Sequence, residues 1–476
     1  MEYETVIGLE VHAQLLTTTK LFCGCTTPFG ARPNSHGCPV CLGLPGALPA
    51  LNRSAVEMAV RTGLSLGCAI NSKSIFARKH YFYPDLPKGY QISQLDIPIC
   101  VSGTLPIVVD GRESSVRVNR VHMEEDAGKL VHDQDPDSLF DVNRCGSPLI
   151  EIVSEPDMRS PQEAYAYLMG LKQILEYLGV CDCNMEEGSL RCDANISLRH
   201  KGESKLGTKT EIKNMNSFRN LEKALEYEAK RQEEVLRSGG RVVQQTFLWN
   251  PSENRSVPMR TKEDADDYRY FPDPDLTPLV LGDGLVDEMK KSLPELPAPR
   301  RRRFEGDYKV TAYAAEVLTG SRPLADYFER CVSGCGDAKS AANWVMTDIM
   351  RMMNDAKIES PFELKTKPER LGELIKLING GGVSAKAAKR VLDLMESEDK
   401  EPGAVIKEQG LEQVSDTSAL EAVVKGVVDA HPTEVQRYKG GDKKLASFFM
   451  GQVMKASKGA ANPKEAMAIL DRLILG

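Results

Sequence analysis

Apolar and polar residues alternate in strand fashion through several stretches of the chain up to Ser292-Leu293-Pro294-Glu295-Leu296-Pro297-Ala298-Pro299, and there the alternation stops. Everything beyond that Pro-rich segment repeats with a helical period. One uniform architecture cannot accommodate such a change. The chain is therefore expected to be a multidomain α+β protein, a sheet-bearing N-terminal domain followed by all-helical ones. Length agrees, since 476 residues exceed what a single core usually supports. A second hinge is expected at Lys400-Glu401-Pro402-Gly403, which divides the chain into domains 1–293, 294–402 and 403–476.

The strands carry chemistry on one side. Thr5 to Leu15 sets Leu9, Val11, Ala13 and Leu15 on one face and Glu10, His12 and Gln14 on the other. Arg191 to Leu198 sets Arg191, Asp193, Asn195 and Ser197 together, and Lys209 to Asn216 reads as a further strand sharing Glu211 and Lys213. Between them, Val121 to Asp157 gathers Glu124, Glu125, Asp126, Glu151, Glu155 and Asp157 around the apolar run Pro148 to Val153. An unpaired carboxylate beside such a strand costs several kcal/mol, so these acids should be protonated, ion-paired or on a metal. The reading that follows is a divalent cation with phosphate; an acidic surface loop is the plain alternative. Three helices frame these strands: one capped by Asn52, one starting at Ser160 with Pro161 and a Glu163 capping box and stopped by Gly179, and one from Ser217 to Gly239-Gly240.

Cys23-Gly24-Cys25 and Cys38-Pro39-Val40-Cys41 form a C-x-C and C-x-x-C pair in a Gly- and Pro-rich setting. Four thiolates so spaced can close a tetrahedron around zinc, and a structural zinc knuckle fits better than a redox pair, which needs only two thiols. Cys181, Cys183 and Cys192 read as small core residues. The Arg78 to Tyr90 loop and the Asp267 to Asp275 loop interleave basic and aromatic residues, suiting either phosphate and base contacts or plain aromatic packing.

The formal net charge of -7 excludes wholesale polyanion binding, so any nucleic acid must meet a local basic patch. Such a patch occurs between Arg437 and Lys464, where Lys443, Lys444, Lys455 and Lys458 lie. A basic leader and a run of about eighteen apolar residues are both missing, so a soluble, cytoplasmic protein without membrane contact is expected. Gly202 to Lys209 has the wrong order for a phosphate-binding loop, and no convincing Cys or Ser nucleophile for a glutaminase is found. Nitrogen chemistry would depend on ammonia made elsewhere.

Over nearly its whole length the chain resembles the GatB family, the B-subunits of the glutamine-dependent aspartyl/glutamyl-tRNA amidotransferases. The resemblance rests on Ile7 to His12, the Cys23 to Cys41 knuckle with Leu42 to Gly46, Tyr81 to Gln94, His122 to Lys129, Asp157 to Ser160, Arg191 to Asn195, Lys213 to Ser217 and Asp267 to Leu276. Val414 to Leu420 and Gly451 to Ala456 extend it into the tail. One departure is His80, where Asn is expected.

The resemblance implies an antiparallel-sheet cradle similar to glutamine synthetase and guanidino kinases, then a helical domain and a YqeY-like tail that grips tRNA. It implies use of ATP to activate misacylated Glu-tRNA(Gln) or Asp-tRNA(Asn) as an acyl phosphate. Ammonia would come from a GatA-like amidase, held by a small GatC-like subunit. On this basis Mg²⁺ is assigned to His12, Glu125 and Glu151 with Glu10 and Glu124 nearby, the order of Glu124 and Glu125 being open. Phosphates are assigned to Arg191, Lys213 and Arg269, with Lys79 and Lys88 as further candidates and Asp193 beside them. Lys443, Lys444, Lys455 and Lys458 are assigned to the tRNA backbone. Without the resemblance, a non-catalytic zinc-containing RNA-binding protein or a stand-alone ligase would be the rival readings.

Overall fold

The structure is a computed structural model that describes residues 2–131, 136–259, 268–412, 417–457, 461 and 463–475. It forms two compact units, Met1–Leu296 and Pro297–Gly476.

The first unit is built on a nine-stranded sheet. In chain order its strands are β1 (Tyr3–Gln14), β2 (Ala69–Ile70), β3 (Cys100–Val109), β4 (Arg112–Glu125), β5 (Pro148–Ser154), β6 (Leu190–His200), β7 (Thr210–Lys213), β8 (Thr246–Asn250) and β9 (Arg255–Pro258). Across the sheet they run β9-β8-β7-β6-β1-β5-β4-β3-β2, antiparallel everywhere except between β7 and β8. β1 thus lies centrally, between two strands that follow it at a distance in sequence, so both its edges are paired.

Period-two alternation divides the sheet into two faces. Leu9, Val11 and Ala13 of β1, Ile150 and Ile152 of β5, and Ala194 and Ile196 of β6 are almost wholly buried. They share one core with the helices α1 (Arg53–Ser65), α2 (Pro161–Leu178) and α3 (Phe218–Arg237). Burying each large aliphatic side chain in that layer stabilises the fold by roughly 1.5–3 kcal/mol. The opposite face carries the polar side chains.

Local signals place the helices. Ser160 accepts the Glu163 N–H at 3.1 Å, Pro161 occupies the first turn, and Gly179 ends α2 in the left-handed region at φ 65°. The expected capping box is displaced by one residue: Glu163 reaches back to the Arg159 N–H at 2.6 Å instead of that of Ser160. Asn52 and Ser217 cap α1 and α3.

Among the described residues the second unit is helical. One core gathers Phe304, Phe328, Leu371 and Val391, and another gathers Leu420, Val424, Phe449 and Leu470. No helix among the described residues is long and apolar enough to cross a membrane.

Candidate active site

The polar face of the sheet assembles its functional side chains by register. His12 on β1 lies opposite Glu151 on β5 and Arg191 on β6, and Glu151 in turn lies opposite His122 on β4. Glu124, two residues beyond His122, points to the same side. His12 Nε2 stands 3.2 Å from Glu124 Oε1 and 3.2 Å from Glu151 Oε2. Ligand atoms of these three residues all fall within 4.8 Å of one another, the spacing a single cation needs.

The electrostatics are tightly coupled. Burial alone would depress the His12 imidazole, but its hydrogen bonds to Glu124 and Glu151 outweigh that and push it up to about 10. Burial would raise Glu151, yet the neighbouring His122 and the His12 hydrogen bond hold it down to about 2. Glu124 is likewise held well below the usual carboxylate range by His12 and His122 against its burial. Two ionised carboxylates thus converge on one proton-bearing nitrogen, an arrangement a divalent cation fits by displacing that proton.

His122 completes the cluster from behind. Its Nε2 lies 3.5 Å from Glu151 and 3.8 Å from Glu124, while Arg120 Nε donates to its Nδ1 at 3.3 Å. An arginine is always a donor, so Nδ1 accepts and Nε2 carries the hydrogen facing the acids. Sequence reading missed His122 as a functional residue; its place two before Glu124 on one strand was the available signal.

One assignment is corrected. Glu125, expected beside His12 and Glu151, points to the opposite side of β4, where it pairs with Lys88 and accepts the Ile92 N–H at 3.0 Å. Neighbouring residues on a regular strand face opposite ways, so only one of Glu124 and Glu125 can join the cluster.

The cysteines form a second centre. The sulfurs of Cys23, Cys25, Cys38 and Cys41 lie within 4.8 Å of one another. Hydrogen bonding from Cys23 pulls the Cys41 thiol down to about 4, while burial pushes Cys25 up to about 11. A donor set of four sulfurs at this separation suits tetrahedral zinc.

Residues 5–287 match the GatB/GatE catalytic domain, and residues 326–474 match the GatB domain. Similar proteins include the aspartyl/glutamyl-tRNA(Asn/Gln) amidotransferase B-subunit of Syntrophotalea carbinolica, 52% identical over 474 residues that cover 100% of this chain and 99% of that one. The protein of the same name from Chlorobium chlorochromatii is 52% identical over 476 residues, covering 100% of both chains. The chain belongs to the GatB family.

Both side-chain clusters fall inside the GatB catalytic-domain match. The remaining predicted residues of this GatB chain lie outside the three-residue His12 cluster. Glu10 accepts from Asn195 Nδ2 at 2.9 Å. Arg191 donates to Asp126 Oδ1 at 2.9 Å, and Lys213 pairs with Asp193 and, at 3.3 Å, with Glu211. Burial would lower Lys213, but Asp193 and Glu211 raise it above its ordinary value. Lys79 stands over the Tyr268 ring at 4.9 Å and feels the charges of Tyr270, Glu124 and Glu151, which raise it against its burial.

Arg269 is exposed and lies in the left-handed region at φ 43°; its carbonyl oxygen is 3.1 Å from His80 Nδ1. His80 also stacks on Phe271 with 4.8 Å between ring centroids, so the departure from Asn serves a local loop contact. In the GatB tail, Lys443 and Lys444 are exposed just before the helix Leu445–Ala456, and Lys455 is exposed in its last turn. At 1.5 Å per residue these positions lie roughly 16 Å apart, so they form no single tight patch. Lys458 lies outside the described residues, as do Arg260 to Asp267 and Val414 to Asp416.

Proposed function

We propose that this chain is the amidating subunit of a tRNA-dependent carbon–nitrogen ligase. It converts Glu-tRNA(Gln), Asp-tRNA(Asn) or both to Gln-tRNA(Gln) and Asn-tRNA(Asn), using ATP. The relatives are named as B-subunits of aspartyl/glutamyl-tRNA(Asn/Gln) amidotransferase, and nothing in that similarity supports a non-catalytic zinc protein. The observation that carries the reading is the convergence of His12, Glu124 and Glu151 within the GatB/GatE catalytic-domain match.

In the first step an oxygen of the misacylated side-chain carboxylate attacks the γ-phosphorus of ATP. The bond to ADP breaks, and an acyl phosphate forms. Ammonia then attacks the acyl carbon, the carbon–oxygen bond to phosphate breaks, and the nitrogen loses a proton as inorganic phosphate departs. Magnesium held by His12, Glu124 and Glu151 would supply positive charge against the phosphate oxygens. Arg191, Lys213 and Lys79 provide further positive charge on the same face, and Arg269 would add to it as a phosphate contact. Their carboxylate partners Asp126 and Asp193 orient the first two. Glu10 orients Asn195 beside them.

The same reading extends to the whole chain. A cradle of the glutamine synthetase and guanidino kinase kind would span 1–293, a helical domain 294–402 and a YqeY-like tRNA-binding tail 403–476. Structural zinc would sit on Cys23, Cys25, Cys38 and Cys41. A GatA-like amidase would deliver ammonia in the cytoplasm, and a small GatC-like protein would hold the assembly together.

The test supplies ammonium chloride in place of glutamine to the reconstituted assembly and follows Gln-tRNA formed from Glu-tRNA(Gln), and Asn-tRNA formed from Asp-tRNA(Asn). Amidation of at least one substrate should require ATP and a divalent cation and should vanish in Glu124→Ala. Full conversion without ATP, or by the Glu124→Ala, Glu151→Ala double variant, would overturn the proposal.

A further inference from the structure

Lys20 is 0% exposed, a rare state for a lysine, because an ammonium taken out of water costs several kcal/mol unless a negative charge meets it. Its Nζ donates to the His36 carbonyl at 2.6 Å, to the Val142 carbonyl at 3.3 Å and to Cys41 Sγ at 3.6 Å. The carbonyls offer dipoles but no charge. Of these partners, only the Cys41 sulfur can carry a full negative charge. Glu125 lies across Gly146 from Lys20, but it is already met by Lys88. A lysine has been buried at the rim of four clustered sulfurs, and neither the amidation chemistry nor the packing of the sheet uses it.

Charge counting explains why. Four thiolates around a divalent ion leave two negative charges in a partly buried pocket, and such an excess destabilises the site unless a cation is fixed nearby. We propose that Lys20 is the built-in counter-charge of the cysteine centre, which makes a divalent, thiophilic metal held by four thiolates the occupant for which the pocket is formed. This rests on reading Cys23, Cys25, Cys38 and Cys41 as a metal site. Lys20 acts through Cys41 and is a positioning residue. Its bonds to His36 and Val142 also tie the knuckle to the segment that leads into β5.

The full-length chain is stripped of metal and titrated with zinc against a chromophoric chelator, and separately with cobalt. Wild type should take up one equivalent more than Cys23→Ser does, the His12 cluster accounting for any metal that the variant still binds. Lys20→Met and Lys20→Gln should bind about tenfold more weakly or worse, as loss of a supporting contact around a metal typically does. Lys20→Gln keeps a donor for the carbonyls and removes only the charge, so it remains informative if Lys20→Met folds poorly. In both variants the cobalt–thiolate charge-transfer band should move to lower energy, because a sulfur relieved of its ammonium gives up an electron more readily. Wild-type affinity and an unmoved band in the variants would overturn the counter-charge role while leaving the metal site standing. A wild-type chain that takes up no metal at these cysteines would overturn both.

Discussion

The cysteine cluster and the His12 cluster meet the same geometric demand by opposite routes. Cys23, Cys25, Cys38 and Cys41 come from one short segment of chain, whereas His12, Glu124 and Glu151 come from three separate strands brought into register across the sheet. Soft sulfurs suit zinc; one imidazole with two carboxylates suits a harder, more exchangeable cation. The difference teaches where a metal would belong to the fold and where it would belong to the reaction. A local knuckle needs its ion to hold a loop together, while the His12 cluster rests on strands that pair whether or not an ion is present.

The sharpest break between the two comes from substituting their ligands. Glu124→Ala or Glu151→Ala should lower ammonium-dependent amidation by about a thousandfold or more, because charge stabilisation of phosphoryl transfer is lost. The protein should remain folded by circular dichroism, and zinc content should stay the same. Glu125→Gln serves as the internal control: its Mn²⁺ affinity, read by electron paramagnetic resonance, should stay within about twofold of wild type, whereas Glu124→Gln should lose it. Equal losses in the two variants would place both carboxylates on the cation and contradict the strand geometry. Cys23→Ser should do the reverse of Glu124→Ala. It should lower the melting temperature by several degrees, at about 1–3 kcal/mol lost, while Mn²⁺ affinity at the His12 cluster holds.

How much could be read in advance follows the same division. The knuckle was legible because its spacing is local, and the two-faced strands were legible because period two shows directly in Leu9, Val11 and Ala13 against Glu10, His12 and Gln14. Register was not legible. Nothing in the residues themselves states that His12 meets Glu151 and that Glu151 meets His122; strand pairing decides it. The grouping of Glu125 with His12 failed for that reason, since choosing between adjacent residues requires knowing which face β4 turns to β5. Lys20 was illegible for another reason. A lysine beside a Gly- and Pro-rich loop looks like a solvated one until the carbonyls of His36 and Val142 close over it. Past Pro297 the amphipathic period indicated helices, but it carried no information on which helices share a core.

Proton linkage separates the clusters further. His12 is held up to about 10 from its ordinary 6.5, so in the metal-free protein its ion pairs contribute fully below pH 6.5 and are lost as pH rises through 10. Glu151 is held down to about 2 from 4.5, so its contribution is present above pH 4.5 and disappears as pH falls through 2. A cation on His12 must displace the proton. Mn²⁺ affinity should therefore rise by about tenfold per pH unit between 6.5 and 10, with about one proton released in calorimetry across buffers of different ionisation enthalpy. His12→Gln should abolish that slope. A flat profile in wild type would mean the imidazole is not a ligand.

The smallest effect expected is that of His122, and it tests whether the His12 cluster has the kind of support that Lys20 gives the cysteines. Arg120 fixes the His122 tautomer so that its Nε2–H faces Glu151 and Glu124. With that donor gone, the two carboxylates keep their places on β5 and β4 but lose the group that orients them toward His12. His122→Phe should therefore weaken Mn²⁺ binding by about tenfold, and His122→Gln, which can present an amide N–H to the same acids, should recover part of the loss. Arg120→Ala should fall between wild type and His122→Phe, since the ring remains but its tautomer is free. Should His122→Phe instead eliminate binding altogether, His122 would be a ligand in its own right, and the cluster would resemble the four-donor cysteine centre more closely than its three-residue geometry suggests.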